Sequence, residues 1–478
     1  MKNKLKVFFE KNPIKVLSVY GVFIVAAYSL LSFYRHWHFQ SGAFDLGVFD
    51  QSIWHYSRFE KPDSSLTGLP NILADHFHPA LMLLAPLYWI LPKAETLLFA
   101  QAVLLMLPIF PIFFFGRKRF GDIPAICFSA SYSILWGIQL AAEFDFHEIS
   151  LAVPLIAFSI YFIDQKRWRS FFICSFLLLT VKEDMCLLVA FFGIYLLSQK
   201  EFKKGLATMI VGILAFWLEM NVLMPYFAEG HPYKFWSFSQ LGSGPLEALK
   251  TCLTQPWLVL KILFSNQTKV ITMFCIFAPF LMMAFFSPWI LLTVPLICER
   301  MLSTGSCYWV INYHYTAVIS PVVTCASADG LFRLSKYLRN ETTRKKVILL
   351  LSGLCLLLNV AVLRKMPIRK VLKPVYYRLT DVDLAAPRAL ALIPDNASVL
   401  AQDTIVPHLS HRSHIRDIMP ETITPPPTED YIIACKNLQF FFFKKYDDIN
   451  DFLLKEMGNG YRKIFDEQGW VVLQKVKS

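Results

Sequence analysis

The sequence predicts an all-α polytopic membrane protein of about eleven transmembrane helices, closed by a small C-terminal α/β soluble domain. Three observations predict it. Of 478 residues, 55% are hydrophobic and only 17% are charged, with a mean hydropathy of +0.45, too little polar side chain to clothe a soluble globule. Apolar runs recur at close to the ~20 residues that cross a ~30 Å hydrocarbon core. From about residue 364 the composition becomes mixed, and short apolar runs alternate with helical patterns.

Within hydrocarbon only helices and closed barrels satisfy their backbone groups, and the alternating ten-residue pattern of a barrel is missing. The basic residues punctuate the apolar runs: Lys2, Lys4, Lys6, Lys11 and Lys15; Arg117, Lys118 and Arg119; Lys166, Arg167 and Arg169; Lys200, Lys203 and Lys204; and Arg333, Lys336, Arg339, Arg344, Lys345 and Lys346. The positive-inside rule makes these five groups cytoplasmic. Fixing them places crossings near 16–34, 96–115, 122–141, 148–164, 170–181, 185–199, 206–226, 269–286, 288–302, 313–334 and 346–363. The amino terminus is then inside and the C-terminal domain outside. The first segment lacks a small-residue cleavage site and reads as a retained helix.

The transmembrane part, 1–363, carries two large outer loops, 35–95 and 227–268. In the first, FDLGVFDQSIWHY is amphipathic, and PALMLLAPLYWILP is too short for a crossing and is expected to form a juxtamembrane or re-entrant helix. The second carries His231, Trp236 and LGSGP, with aromatics suited to the interface. The remainder, 364–478, is expected to be a small extracytoplasmic domain with strands at SVLAQ, YIIAC and WVVLQKV and helices near 381–392 and 446–457. Ten cysteines lie scattered in apolar sequence without ligand-like spacing and read as packing residues. The net charge of +12 belongs to the loops, so no nucleic-acid partner is implied. GxGxxG, P-loop, GxSxG and HExxH motifs are absent, which removes support for nucleotide binding and for serine or zinc protease chemistry.

Four charged clusters interrupt the apolar sequence on the expected outer side. Asp45 and Asp50 lie in FDLGVFDQ, Asp75, His76 and His78 in DHFHP, Glu143, Asp145, His147 and Glu148 in EFDFHE, and Lys182, Glu183 and Asp184 in KED. Charge at membrane depth is costly and marks sites or pathways. Asp45 and Asp50 read either as a site or as a solvated helix face. DHFHP offers ligands for a divalent cation such as Mg or Mn, or for an anion, against a polar turn that caps the next helix. EFDFHE carries more charge than a hairpin needs. Lys182 can hold an anionic headgroup or form a structural salt bridge with Glu183 or Asp184. His314 and Tyr315, in NYHYTAVISP, either complete the same cavity or belong to an aromatic belt.

FDLGVFDQSIW, DHFHPALMLLAPLYW, DFHEISLAVPLIAF, LLLTVKEDMCL and HYTAVISP together resemble the signatures of an uncharacterised prokaryotic multi-pass membrane protein family. Their order also resembles GT-C glycosyltransferases that use polyprenyl-phosphate sugars, such as the lipid A aminoarabinose transferase and protein mannosyltransferases. That resemblance implies an enzyme of the prokaryotic cytoplasmic membrane with a lipid-linked sugar donor, contact with membrane lipids and an unidentified extracytoplasmic acceptor. It puts Asp45 at the catalytic centre with Asp145 as the second acid, and His78 and Lys182 on the donor phosphate. His78 departs from the pattern, since histidine stands where that group has lysine.

Glycosyl transfer needs a base for the acceptor hydroxyl and positive charge for the leaving phosphate. The alternatives are a transporter or lipid flippase, which predicts charges spread towards the midplane and inverted repeats, and a non-catalytic scaffold.

Overall fold

The computed structural model describes residues 12–231, 233–419, 426–439 and 446–476. Lys2, Lys4, Lys6 and Lys11 of the first basic group lie outside them. Among the described residues five helices are long and apolar enough to cross a membrane: Pro13–Trp37, Ala94–Phe120, Phe202–Ala228, His314–Ser335 and Glu341–Lys365. Two bent pairs, Asp122–Ser133 with Trp136–Glu143 and Pro256–Leu263 with Gln267–Phe280, raise the number to seven when each is one span. Pro79–Tyr88, Ile149–Asp164, Trp168–Leu179 and Met185–Ser198 are shorter apolar helices.

The departures from the expected crossings have local causes. The segment near 122–141 bends by 40° where Leu135 leaves helical geometry, and the Gln139 amide caps the freed Ile134 carbonyl at 2.6 Å. The segments near 269–286 and 288–302 are not two continuous helices. After Gln267–Phe277 the chain makes 3-10 turns at Ala278–Phe280, Met283–Phe286 and Pro288–Leu292 before the helix Thr293–Leu302. Pro279 and Pro288 supply no N–H to an α-helical ladder. Irregular backbone at membrane depth survives only where protein covers it, and Met283 and Ala284 are buried. Gly330 makes that burial achievable, because a Cβ there would lie 1.9 Å from the Met283 carbonyl oxygen.

Among the described residues the C-terminal part forms a five-stranded sheet in the order β2-β1-β3-β5-β4, with β1 Val399–Ala401, β2 Ile415–Asp417, β3 Tyr431–Cys435, β4 Tyr461–Glu467 and β5 Trp470–Lys475. β1 runs parallel to β2 and β3, while β5 is antiparallel to β3 and β4. Alternation at period two gives each face its own core. Leu400, Ile432, Ala434, Val471 and Leu473 pack with Ile449 and Leu453 of the helix Tyr446–Gly458. Val399, Ala401, Ile415, Ile433 and Trp470 pack with Ala385 and Ala389 of the helix Asp381–Leu390. The same face also buries Phe39 and Ala43, so the sheet is seated on the loop that follows the first span. His408 stacks on His36 with ring centroids 4.0 Å apart, and Gln51 donates to the Arg412 carbonyl at 2.8 Å.

Candidate functional site

The centre grows from the end of the first helix. After Trp37 the chain turns at His38 and Phe39, is extended at Gly42 and then makes a π-helical turn, Ala43–Gly47, that presents Asp45. Two successive amides of this turn are held by carboxylates from distant segments. Gly42 N donates to Asp145 Oδ2 at 2.7 Å and Ala43 N donates to Asp403 Oδ1 at 2.8 Å. Asp145 is 1% exposed and is ion-paired with Arg35. Asp45 is 36% exposed and its Oδ1 lies 3.2 Å from His147 Nε2.

His147 is fixed from several sides. Its backbone amide donates to Gln101 Oε1 at 3.0 Å, its Nδ1 faces the Asp145 carbonyl at 3.1 Å, and its ring stacks on His314 at 3.7 Å. Both ring nitrogens thus face oxygen acceptors, an arrangement that only the doubly protonated ring satisfies. Burial alone would lower its pKa, but the Asp45 hydrogen bond and charge, with Glu148, raise it above the ordinary histidine value.

From His147 the chain of charges continues without a gap. Lys182 Nζ lies 3.0 Å from Glu148 Oε1. Burial opposes ionisation of Glu148, yet Lys182 foremost holds its carboxyl well below the usual carboxylate range. Glu183 accepts from the Phe77 amide at 3.1 Å and the Tyr233 hydroxyl at 3.2 Å, and lies 2.7 Å from His76 Nδ1. Asp184 sits beside Glu299, and Asp75 sits among His76, Glu148 and Lys182, with burial pushing both aspartates upward. His78 is fully buried, and neither ring nitrogen has a hydrogen-bond partner among the described residues. Burial lowers its pKa to about 4, so the ring is neutral near pH 7.

Eleven of the residues picked out in the sequence therefore adjoin: Asp45, Asp75, His76, His78, Asp145, His147, Glu148, Lys182, Glu183, Asp184 and His314. Of the remaining three, Asp50 and Glu143 face elsewhere, and Tyr315 borders the group through His314. Asp50 is turned to the sheet domain, bonded to Tyr88 and Ser410 and 2.9 Å from His411 Nε2. Glu143 pairs with Lys370. Tyr315 packs beside Tyr308 and His314, with the Arg300 guanidinium 5.9 Å from its ring centre. Among the described residues no group of three or more His, Cys, Asp or Glu side chains is arranged to hold a metal ion. Asp145, Glu148, Glu183 and Asp45 instead face Arg35, Lys182, His76 and His147 respectively.

Several participants carry weaker sequence signals. Arg35 lies at the expected outer end of the first span, where the positive-inside rule disfavours a basic residue. Glu299 and Arg300 interrupt a segment read as a crossing, which is a signal in itself. Arg300 is buried, donates to the Tyr308 and Val310 carbonyls and to Thr316 Oγ1, and has no carboxylate in ion-pair contact among the described residues. Gln101 and Tyr233 have ordinary surroundings in the sequence, and Asp403 reaches the centre across 360 residues.

The geometry can be set beside known proteins. The crystal structure of ArnT from Cupriavidus metallidurans bound to undecaprenyl phosphate superposes with a TM-score of 0.53 at 11% identity, covering 96% of this chain and 98% of that one. The apo structure of the same protein gives 0.52 at 12% identity, covering 95% and 98%. The likeness shows the fold alone: a helical membrane domain followed by a small α/β domain, arranged as in the ArnT structures. No curated protein matches the chain. A family model described as predicted membrane protein (DUF2079) matches residues 35–458, from the end of the first span through most of the sheet domain, and the chain belongs to that family.

Proposed function

We propose that the protein is a glycosyltransferase of the prokaryotic cytoplasmic membrane that moves a sugar from a polyprenyl-phosphate donor to an extracytoplasmic acceptor. The carrying observation is the contrast within the acidic centre: Asp45 is 36% exposed, whereas Asp145 and Glu148 are 1% and 2% exposed and held by cations. Asp45 is the carboxylate an acceptor can reach, and Asp145 positions it. Asp45 takes the proton of the acceptor hydroxyl as its oxygen attacks the anomeric carbon. The bond from that carbon to the phosphate oxygen breaks, and the lipid phosphate leaves with the electron pair.

Three side chains serve the phosphate. Lys182 does so by exchanging Glu148 for the ligand. Arg300 has no carboxylate to surrender, and it lies near His314, as Lys182 does. His78 acts as a neutral N–H donor, because an unpaired buried polar group costs about 1–3 kcal/mol and a phosphate oxygen would relieve that cost. The ArnT structure with bound undecaprenyl phosphate supports this class of donor. The acceptor belongs to the cell envelope as a glycan, lipid or protein.

The test is Asp45→Asn in the full-length protein, expressed in its own membrane, with envelope glycans compared by mass spectrometry. Loss of one glycan modification at unchanged expression is expected. An unchanged glycan profile would overturn the enzymatic reading.

A further inference from the structure

The Asp45 turn is gripped from both sides, and one grip comes from the sheet domain. Asp145 holds the Gly42 amide from the membrane domain, and Asp403 holds the adjacent Ala43 amide from the loop after β1. A methyl group built on Gly42 would lie 3.5 Å from Asp45 Oδ2, 3.7 Å from Asp403 Oδ1 and 3.8 Å from Asp145 Oδ2. Three carboxylates from three distant stretches of chain therefore surround one backbone position. Asp403 is 6% exposed, so its charge is not spent on solvent.

Its place in the fold matches this role. β1 lies between two parallel neighbours, with the next strand in sequence on one side and the one after on the other. In parallel sheets, side chains beyond the carboxyl ends of such strands are the ones that reach sites. The sheet is also fixed to the turn by other contacts: the Phe39 ring lies 5.0 Å from Trp470, and Val406 is among the nearest neighbours of Gly47.

Taking the proposed transfer reaction as its basis, we infer that Asp403 is a positioning residue of the same centre, through which the sheet domain sets the orientation of the Asp45 turn. The sheet domain is then part of the machinery of this centre. Asp45, Asp145 and Arg35 from the membrane domain are the charged groups that act on Asp403, and Asp417 of β2 is a further titratable neighbour. Burial first, and then the Asp45 and Asp145 carboxylates, raise its pKa to about 6. Asp417 has both carboxylate oxygens unpartnered among the described residues, and burial pushes its pKa up to about 9, so it is protonated near pH 7 and adds no charge at Asp403.

The experiment uses the full-length protein in lipid nanodiscs with Asp403→Ala and Asp403→Asn. The asparagine keeps an oxygen for the Ala43 amide and the alanine does not. Hydrogen exchange at residues 42–47 is expected to quicken about tenfold or more in Asp403→Ala, with protection of β1 unchanged and Asp403→Asn close to wild type. With a polyprenyl-phosphate sugar as probe, kcat should fall about tenfold or more in Asp403→Ala at constant donor KM. Asp403→Asn should rescue most of it and lose any inflection near pH 6 from the pH profile. Unchanged exchange at 42–47 in Asp403→Ala overturns the inference, as does a kcat loss of equal size in both variants. If the wild type transfers no sugar from any donor, the reaction reading fails, and the exchange measurement still decides the role of Asp403.

Discussion

Arg35 and Asp145 form an ion pair that ties the end of the first span to the turn after Glu143, while the second oxygen of Asp145 accepts the Gly42 amide at 2.7 Å. One carboxylate thus spans two segments separated by about a hundred residues. Asp145 is 1% exposed and Arg35 17%, so the carboxylate is buried and the guanidinium largely so. Removing one member of such a pair typically costs about 3–5 kcal/mol, because the other charge is left without a partner. Arg35→Ala is expected to lower the unfolding midpoint of the detergent-solubilised protein well below wild type. The double variant Arg35→Leu with Asp145→Asn should recover most of that loss. A single variant as stable as wild type would show that the pair carries no weight.

His147 makes the Asp45 contact sensitive to pH. Its pKa is raised in the folded state, so its stabilising contribution is complete below the unfolded value of about 6.5 and is lost as pH rises through the folded value. His76 and His411 shift in the same direction, so wild type alone cannot isolate the effect. The expected outcome is a difference: between about pH 6 and about pH 8.5, the midpoint of His147→Asn should fall less than that of wild type. Parallel curves would remove His147 from the account.

The sequence revealed the clusters but not their wiring. Spans with uniform apolar composition, such as Glu341–Lys365, were legible because hydropathy alone specifies them. The break between Phe277 and Thr293 was not, since its stability comes from the close approach of Gly330, a tertiary fact. Strands β1, β3 and β5 of the C-terminal domain were visible as apolar runs, whereas β2, β4, the strand order and the docking of Phe39 and Ala43 were not. In the site, charges interrupting apolar sequence pointed to Asp145, His147, Glu148 and Lys182. Asp50 gave the same local signal and turned away, because Tyr88 and Ser410 offered it hydroxyl donors. A one-dimensional pattern records that a charge is buried and leaves its partner unspecified.

His78 allows a prediction with two opposite signs. Its neutral ring is fully buried and unpaired among the described residues, a state that costs stability until something bonds to it. His78→Phe should therefore raise the midpoint of the lipid-free protein by the equivalent of about 1 kcal/mol. It should also reduce the polyprenyl phosphate retained in native mass spectrometry. Higher stability with undiminished lipid retention would show that His78 is a packing residue and does not hold the donor.

Lys182 and Glu148 supply the last test, because their coupling reverses sign when the cation is removed. In wild type, the Glu148 carboxyl is held below its unfolded value of about 4.3, so its contribution is present above that value and is lost as pH falls through the folded one. In Lys182→Met the same carboxyl is buried without its main counter-charge. Burial then raises its pKa above the unfolded value, so its contribution is greatest in acid and is lost as pH rises. The gap in unfolding midpoint between wild type and Lys182→Met should therefore be widest near pH 7 and should narrow towards about pH 4. Adding Glu148→Gln to Lys182→Met should close most of the neutral-pH gap, since a neutral amide needs no counter-charge. A gap that stays constant across this range would show that Lys182 acts on the fold by packing alone, and that its charge is free for a ligand without surrendering Glu148.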